Sequence, residues 1–107
     1  MKTIVMVVIL ALMVIPSCQK DKTEEVIADE GARIFKQRCS PCHGPQGKGD
    51  IGPDLTDSEW RYGGTDQDLF ETISNGRPGG MPAWKNELSE EKIRKVIRHI
   101  RGLAEKG

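Results

Sequence analysis

The chain has 107 residues and carries 16 acidic and 16 basic side chains, for a formal net charge of zero. That length allows one domain, and that balance gives no electrostatic case for nucleic acid or for an anionic membrane surface. Hydrophobic residues are only 36% of the chain, and many of them sit before residue 16, so the rest is poor in core-forming side chains and asks for a staple such as a disulfide, a metal or a cofactor.

Met1 and Lys2 give a short positive start, and after Thr3 an uninterrupted apolar run extends from Ile4 to Ile15. The run is shorter than the about 20 residues a spanning helix needs, and it suits the apolar region of a secretory signal. It ends in Ile15-Pro16-Ser17-Cys18, which resembles a bacterial lipobox. The resemblance implies cleavage before Cys18 and lipid on its sulfur; an ordinary signal peptide with a chance cysteine is the alternative. Two or more acyl chains hold a protein stably to a bilayer, at about 0.8 kcal/mol per buried CH₂. Gln19 to Glu25 is polar and reads as a tether of at most about 25 Å. The expected organisation is a signal over 1–17, a lipidated tether over 18–25 and a domain over 26–107. That domain would face the extracytoplasmic, periplasmic side of a membrane.

Val26 to Arg38 carries a helical pattern, with Ile27, Gly31, Ile34 and Phe35 on one face. Thr23 offers a cap, with Glu24 and Glu25 in an acidic first turn. The helix runs into Cys39-Ser40-Pro41-Cys42-His43. This is C-x-x-C-H, the attachment pattern of c-type haem. Two thiols at this spacing can each add to one vinyl group on the same edge of the macrocycle, and the adjacent histidine then brings its imidazole under the iron. Three alternatives remain at this point. A redox dithiol expects a βαβ context. A zinc site needs one more strong ligand, and only His99 is available. A structural disulfide suits an exported protein. With Cys18 on lipid and Met1, Met6 and Met13 in the signal, the soft ligands left are Cys39, Cys42, His43, His99 and Met81.

Gly44 to Asp54 is rich in Gly and Pro and reads as loop; it lacks the G-x-x-x-x-G-K-[ST] phosphate pattern. Trp60, Tyr62 and Gly63-Gly64 follow. Asp66 to Asn75 reads as a helix capped by Thr65 or Asp66, with Asp68 in its first turn, Leu69, Phe70 and Ile73 on its apolar face, and Gly76 as its stop. No helix can cross Arg77-Pro78-Gly79-Gly80-Met81-Pro82-Ala83-Trp84. Met81 in such a loop is either a gap-filling side chain or, beside one haem, the sixth iron ligand; the latter is the better reading. The last helix starts at Ser89 with Glu90 and Glu91 in its first turn, and Ile93, Val96, Ile97, Ile100 and Leu103 make its stripe. Arg98, Arg101 and Lys106 suit the negative end of its dipole, and Gly102 marks its fraying end.

From about Val26 to Leu103 the chain resembles the class I cytochrome c domain, in the short bacterial monohaem kind related to the haem domains of cbb3-type oxidase subunits. The residues that carry the resemblance are Gly31-Ala32-Arg33-Ile34-Phe35, Cys39-Ser40-Pro41-Cys42-His43-Gly44, Gly52-Pro53-Asp54-Leu55, Ile73-Ser74-Asn75-Gly76, Gly80-Met81-Pro82-Ala83-Trp84 and the terminal helix. It implies an all-α fold of three to four helices and loops wrapped around one covalent haem c. It implies further that His43 and Met81 are the axial pair and that the Pro53 carbonyl accepts the other imidazole N–H of His43. Leu55 and Ile73 would pack on the haem, and Trp60 or Tyr62 would reach a propionate. Gly31 and Phe35 would pack the first helix across the last. The family usually has an aromatic residue where this chain has His99, so His99 is expected to stack on Phe35 rather than to ligate.

His/Met ligation leaves no open iron position and raises the reduction potential relative to two histidines. The expectation is a monomeric one-electron carrier, not an enzyme. Its donor would be a quinol-oxidising complex or a dehydrogenase, and its acceptor an oxidase or reductase. The rival readings are a gas-sensing or peroxidase-like haem with a labile Met81, a fixed relay subunit of a larger oxidoreductase, and a non-haem domain held by a Cys39–Cys42 disulfide. Near-neutral charge predicts docking that depends weakly on salt.

Overall fold

The computed structural model describes residues 22–106. The apolar run 4–15, Cys18 and the side chain of Ile27 lie outside the described residues. The elements are α1 (Lys22–Ile34), a π-helical turn (Phe35–Cys39), α2 (Ser40–His43), α3 (Asp66–Asn75) and α4 (Glu90–Lys106). Among the described residues the fold is all-α; an isolated antiparallel bridge joins Arg77 to Met81.

α1 is already helical at Lys22, so Thr23 lies inside it and not at its cap. Residues 22–25, assigned to the tether by their polarity, are helical too. Glu24 and Glu25 are good helix formers, and nothing local stops the helix at Val26. α1 crosses α4 at Gly31, which is buried. A Cβ there would overlap the Lys95 carbonyl, so the crossing distance depends on glycine. Beside it, the buried Phe35 meets His99 with ring centroids 5.0 Å apart and planes at 53°. The rings are tilted rather than stacked, within the geometry that aromatic pairs favour. Burial, and then the charge of Lys106, hold the His99 imidazole below its ordinary pKa. A neutral ring thus takes the aromatic place. Glu30 and Lys95 close the crossing with an ion pair at 2.7 Å; that bond lowers the Glu30 pKa and raises that of Lys95.

The segment after Ile34 widens into the π-turn for a local reason. Pro41 has no N–H to return to the Gln37 carbonyl, so the α ladder fails here. The Ser40 N–H bonds the Phe35 carbonyl instead, and the Ser40 hydroxyl takes the Lys36 carbonyl at 2.6 Å. Single π-turns of this kind concentrate at functional sites.

α3 has the predicted bounds because its cap is complete. The Thr65 hydroxyl accepts the Asp68 N–H at 3.0 Å and the Asp68 carboxylate accepts the Thr65 N–H at 3.1 Å. Leu69 and Ile73 are buried, while Phe70 is half-buried beneath the Arg94 guanidinium at 4.5 Å. At the start of α4 the Ser89 hydroxyl accepts the Lys92 N–H at 3.2 Å. Ile93, Val96, Ile97 and Ile100 form its buried stripe. Two expectations fail in α4. The helix continues through Gly102 to Lys106, so that glycine is interior. Arg101 turns away from the helix end to Asp66, at 2.9 Å, and lies 5.4 Å from the Trp60 ring centroid. A carboxylate and a ring outside the helix draw it there.

Gly31→Ala should lose about 1–3 kcal/mol, the usual cost of forcing a methyl into a filled site, in denaturant unfolding of the holoprotein. Gly102→Ala, where no atom lies within 4 Å of the added carbon, should be neutral or stabilising in the same experiment.

Candidate functional site

The carbonyls left free at the end of α2 organise the loop that follows. The His43 carbonyl accepts the Gly49 N–H at 2.8 Å, and the Cys42 carbonyl accepts the Gly52 N–H at 2.7 Å. Further on, the Leu55 N–H bonds the Gly47 carbonyl at 2.7 Å. The Asp54 carboxylate accepts both the amide and the hydroxyl of Thr56 at 2.7 Å, and those bonds hold its pKa below the ordinary value. This folded-back loop brings the Pro53 carbonyl to 2.8 Å from His43 Nδ1. A carbonyl only accepts, so Nδ1 carries the proton and Nε2 keeps its lone pair. Gly52 clears the space: a Cβ there would stand 2.8 Å from His43 Cε1 and 2.9 Å from Nδ1.

The segment holding Met81 is fixed against α3. Gly76 ends that helix at φ 71°, and a side chain there would drive into the backbone of Met81, Pro82 and Ala83. The Arg77 N–H donates to the Met81 carbonyl at 3.0 Å, and the Trp84 N–H to the Ile73 carbonyl at 3.0 Å. Arg38, next to Cys39, ties the two halves together. It lies 5.6 Å from the Trp84 ring centroid and pairs with Glu87 at 3.3 Å.

Between these halves lies a cavity of about 730 Å³, within the roughly 300–1,000 Å³ of small-molecule and cofactor sites. Cys39, Cys42, His43 and Pro53 line it, as do Leu55, Trp60, Ile73 and Met81. Every site residue expected within the domain therefore meets the same space. Cys18 lies outside the described residues, and His99 is at the helix crossing. The arginines Arg38, Arg61 and Arg77 on the cavity wall were missed in sequence, as was the clearance role of Gly52. A basic residue carries no periodic signal, and a loop glycine does not announce what passes over it.

The rival readings of the cysteine pair fare poorly. Burial, with the Cys42 thiol beside it, pushes the Cys39 pKa up to about 11, whereas a reactive redox dithiol needs it lowered. Among the described residues no three His, Cys, Asp or Glu side chains converge to hold a metal ion.

Residues 27–100 match the family of cytochrome C oxidase, cbb3-type, subunit III. The chain belongs to this family. It is 43% identical over 79 residues to the cbb3-type cytochrome c oxidase subunit FixP of Bradyrhizobium sp. (strain ORS 278), covering 71% of this chain and 27% of that one. It is 42% identical over 83 residues to subunit CcoP of Cereibacter sphaeroides, covering 75% and 29%. The chain thus spans less than a third of the length of these relatives. Among solved structures, cytochrome cL from Hyphomicrobium denitrificans superposes with a TM-score of 0.68 at 40% identity, over 70% of this chain and 46% of that one. Cytochrome c6 from the diatom Phaeodactylum tricornutum gives 0.63 at 28% identity, over 74% and 95%.

This member of the family is therefore a small c-type cytochrome with one covalent haem c. The cavity fits the group. It offers two thiols, an imidazole with a free Nε2, a thioether on the segment packed against α3, and apolar walls from Leu55, Leu69, Ile73 and Ile100.

Gly52→Ala should press the added methyl into the His43 ring and cut the yield of covalently loaded protein at least several-fold. That is read as haem absorbance per protein after co-expression with the maturation machinery. Gly79→Ala, at φ 98° but in open space, should cost about 1–2 kcal/mol of backbone strain and leave loading intact.

Proposed function

We propose that this domain carries single electrons, with Cys39 and Cys42 holding the haem by thioether bonds and His43 and Met81 as its axial ligands. The observation that carries the reading is the 2.8 Å bond from His43 Nδ1 to the Pro53 carbonyl, which leaves Nε2 unprotonated on a ring that lines the same cavity as Met81. When bound, the haem supplies an Fe(II)/Fe(III) couple. The protein does the rest. Pro53 keeps the imidazole in its ligating tautomer and orientation. Gly76 and the backbone of Arg77 keep Met81 at its post. Leu55, Leu69, Ile73 and Ile100 exclude water, and the low dielectric they create favours the less charged ferrous form. With His43 and Met81 both held by the iron, no position would be left for substrate, which favours a carrier over a sensor or a peroxidase.

The partners follow from the same reading as redox proteins. The relatives are subunits of cbb3-type oxidases, which supports a place on the path of electrons into a terminal oxidase, as a relay or as a shuttle. The apolar run before Cys18 supports a lipid anchor on the periplasmic side. Cys18→Ser should then move the protein from the membrane fraction to the soluble periplasmic fraction; unchanged partition would remove the anchor.

Met81→Ala tests the axial pair. The variant should favour the ferric form by more than tenfold, a fall of over 59 mV for one electron. Its reduced spectrum should shift on adding carbon monoxide, whereas the wild type should not respond. An unchanged potential and a closed iron in the variant would overturn the assignment.

A further inference from the structure

The chain has two histidines. His43 lines the cavity. His99 is away from it, half-buried on α4 where α1 crosses, with its ring centroid 5.0 Å from that of the buried Phe35. The crossing has little slack. At Gly31 even a Cβ would overlap the Lys95 carbonyl, and Gly47 of the loop after α2 packs against the side chains of Leu103 and Phe35.

No anion is placed to receive a proton on the His99 ring. On α4, Lys95 lies one turn before it and is spent on Glu30 and Glu91, at 2.7 and 3.4 Å. Arg98 and Glu105 are exposed. Lys106, about two turns after His99, bears on the ring with its charge. α1 brings Glu30, engaged by Lys95, and the exposed Asp29 and Arg33. The π-turn brings the exposed Lys36, and Arg38, which pairs with Glu87. The loop after α2 brings the exposed Lys48. Among the described residues no carboxylate pairs with His99. Burial, and then the Lys106 charge, keep its pKa below the ordinary value.

We propose that His99 makes the crossing an acid-sensitive joint: a proton on its imidazole puts an unpaired charge between α1 and α4 and loosens their contact. Phe35, which packs on the ring, is the first residue of the π-turn that ends in Cys39, so the loosening reaches the cysteine-bearing turn. The half-exposed ring takes its proton from solvent. The direction with pH follows from the lowered pKa. In the unfolded chain an imidazole titrates near its ordinary value of about 6.5. As the pH falls through that value the unfolded chain is protonated first, so the folded state loses stability. The loss is complete once the folded chain is protonated too. Ordinary carboxylates titrate about two units lower and keep their charge through most of this window.

The test is an NMR titration of the His99 imidazole in the holoprotein, joined to backbone amide exchange at about pH 7.5 and about pH 5.5, on either side of the ordinary histidine value. The wild type is compared with His99→Phe, which keeps a ring that takes no proton, and with Lys106→Gln, which keeps the histidine and removes the cation that acts on it. The wild-type imidazole should titrate below the ordinary histidine value. Protection over residues 31–39, corrected for the pH dependence of intrinsic exchange, should fall several-fold at the lower pH. In His99→Phe it should stay level. In Lys106→Gln the imidazole should titrate closer to the ordinary value, and the fall in protection should be smaller. A wild-type imidazole that titrates at or above the ordinary value would overturn the inference. Equal losses of protection in the wild type and His99→Phe would do the same. The titration of the wild-type ring needs no variant, so it decides the matter even where His99→Phe does not fold.

Discussion

The site depends on one hydrogen bond, from His43 Nδ1 to the Pro53 carbonyl at 2.8 Å. It decides which ring nitrogen is free and where the ring points, and both matter to a histidine that is to bind a metal. The bond exists because the loop after α2 folds back on the carbonyls of Cys42 and His43. The loop can fold back because Gly52 has no side chain to meet the imidazole. Pro53 supplies an acceptor and, lacking an N–H, leaves no donor of its own unsatisfied there.

That local arrangement stands on the crossing of α1 and α4. Gly31 lets the helices approach, Phe35 and His99 fill the contact, and the Glu30–Lys95 pair closes one side. Phe35 is also the first residue of the π-turn that delivers Cys39. The packing core and the cysteine pair are thus joined within one turn of chain. His99 has a physical account here too: burial keeps it neutral, so it serves the crossing as a ring and not as a charge.

Core and cavity share their walls. Leu69, Ile73 and Ile100 belong to the buried cluster and also line the cavity. A domain this small buries too little surface to be stable with ease. A cofactor that fills the cavity against these side chains adds apolar contact where the core is thinnest. Folding and cofactor binding draw on the same residues, as they do in metal-dependent small domains.

Much was legible in the sequence. The bounds of α3 could be read because Thr65 and Asp68 close a local capping box, and the start of α4 because Ser89 is a strong cap. The apolar stripe of α4 followed from its period. C-x-x-C-H, with Met81 stranded among glycines and prolines, named the cofactor and its candidate donors. These are short-range facts, settled within a few residues by hydrogen bonds and spacing. Other features needed the folded chain. The helical state of residues 22–25, the interior place of Gly102 and the turn of Arg101 toward Asp66 depend on competing partners and stops that no local pattern reveals. The same holds for the π-turn, which needed the Ser40 hydroxyl as well as Pro41. The packing around Arg77 is the clearest case: its guanidinium meets the Thr72 hydroxyl and the Tyr62 ring. Thr72, Tyr62 and Arg77 come from a helix and two separate loops. Sequence settled which chemical groups this protein owns, and tertiary structure decided which of them face the same cavity, because that depends on contacts between segments distant along the chain.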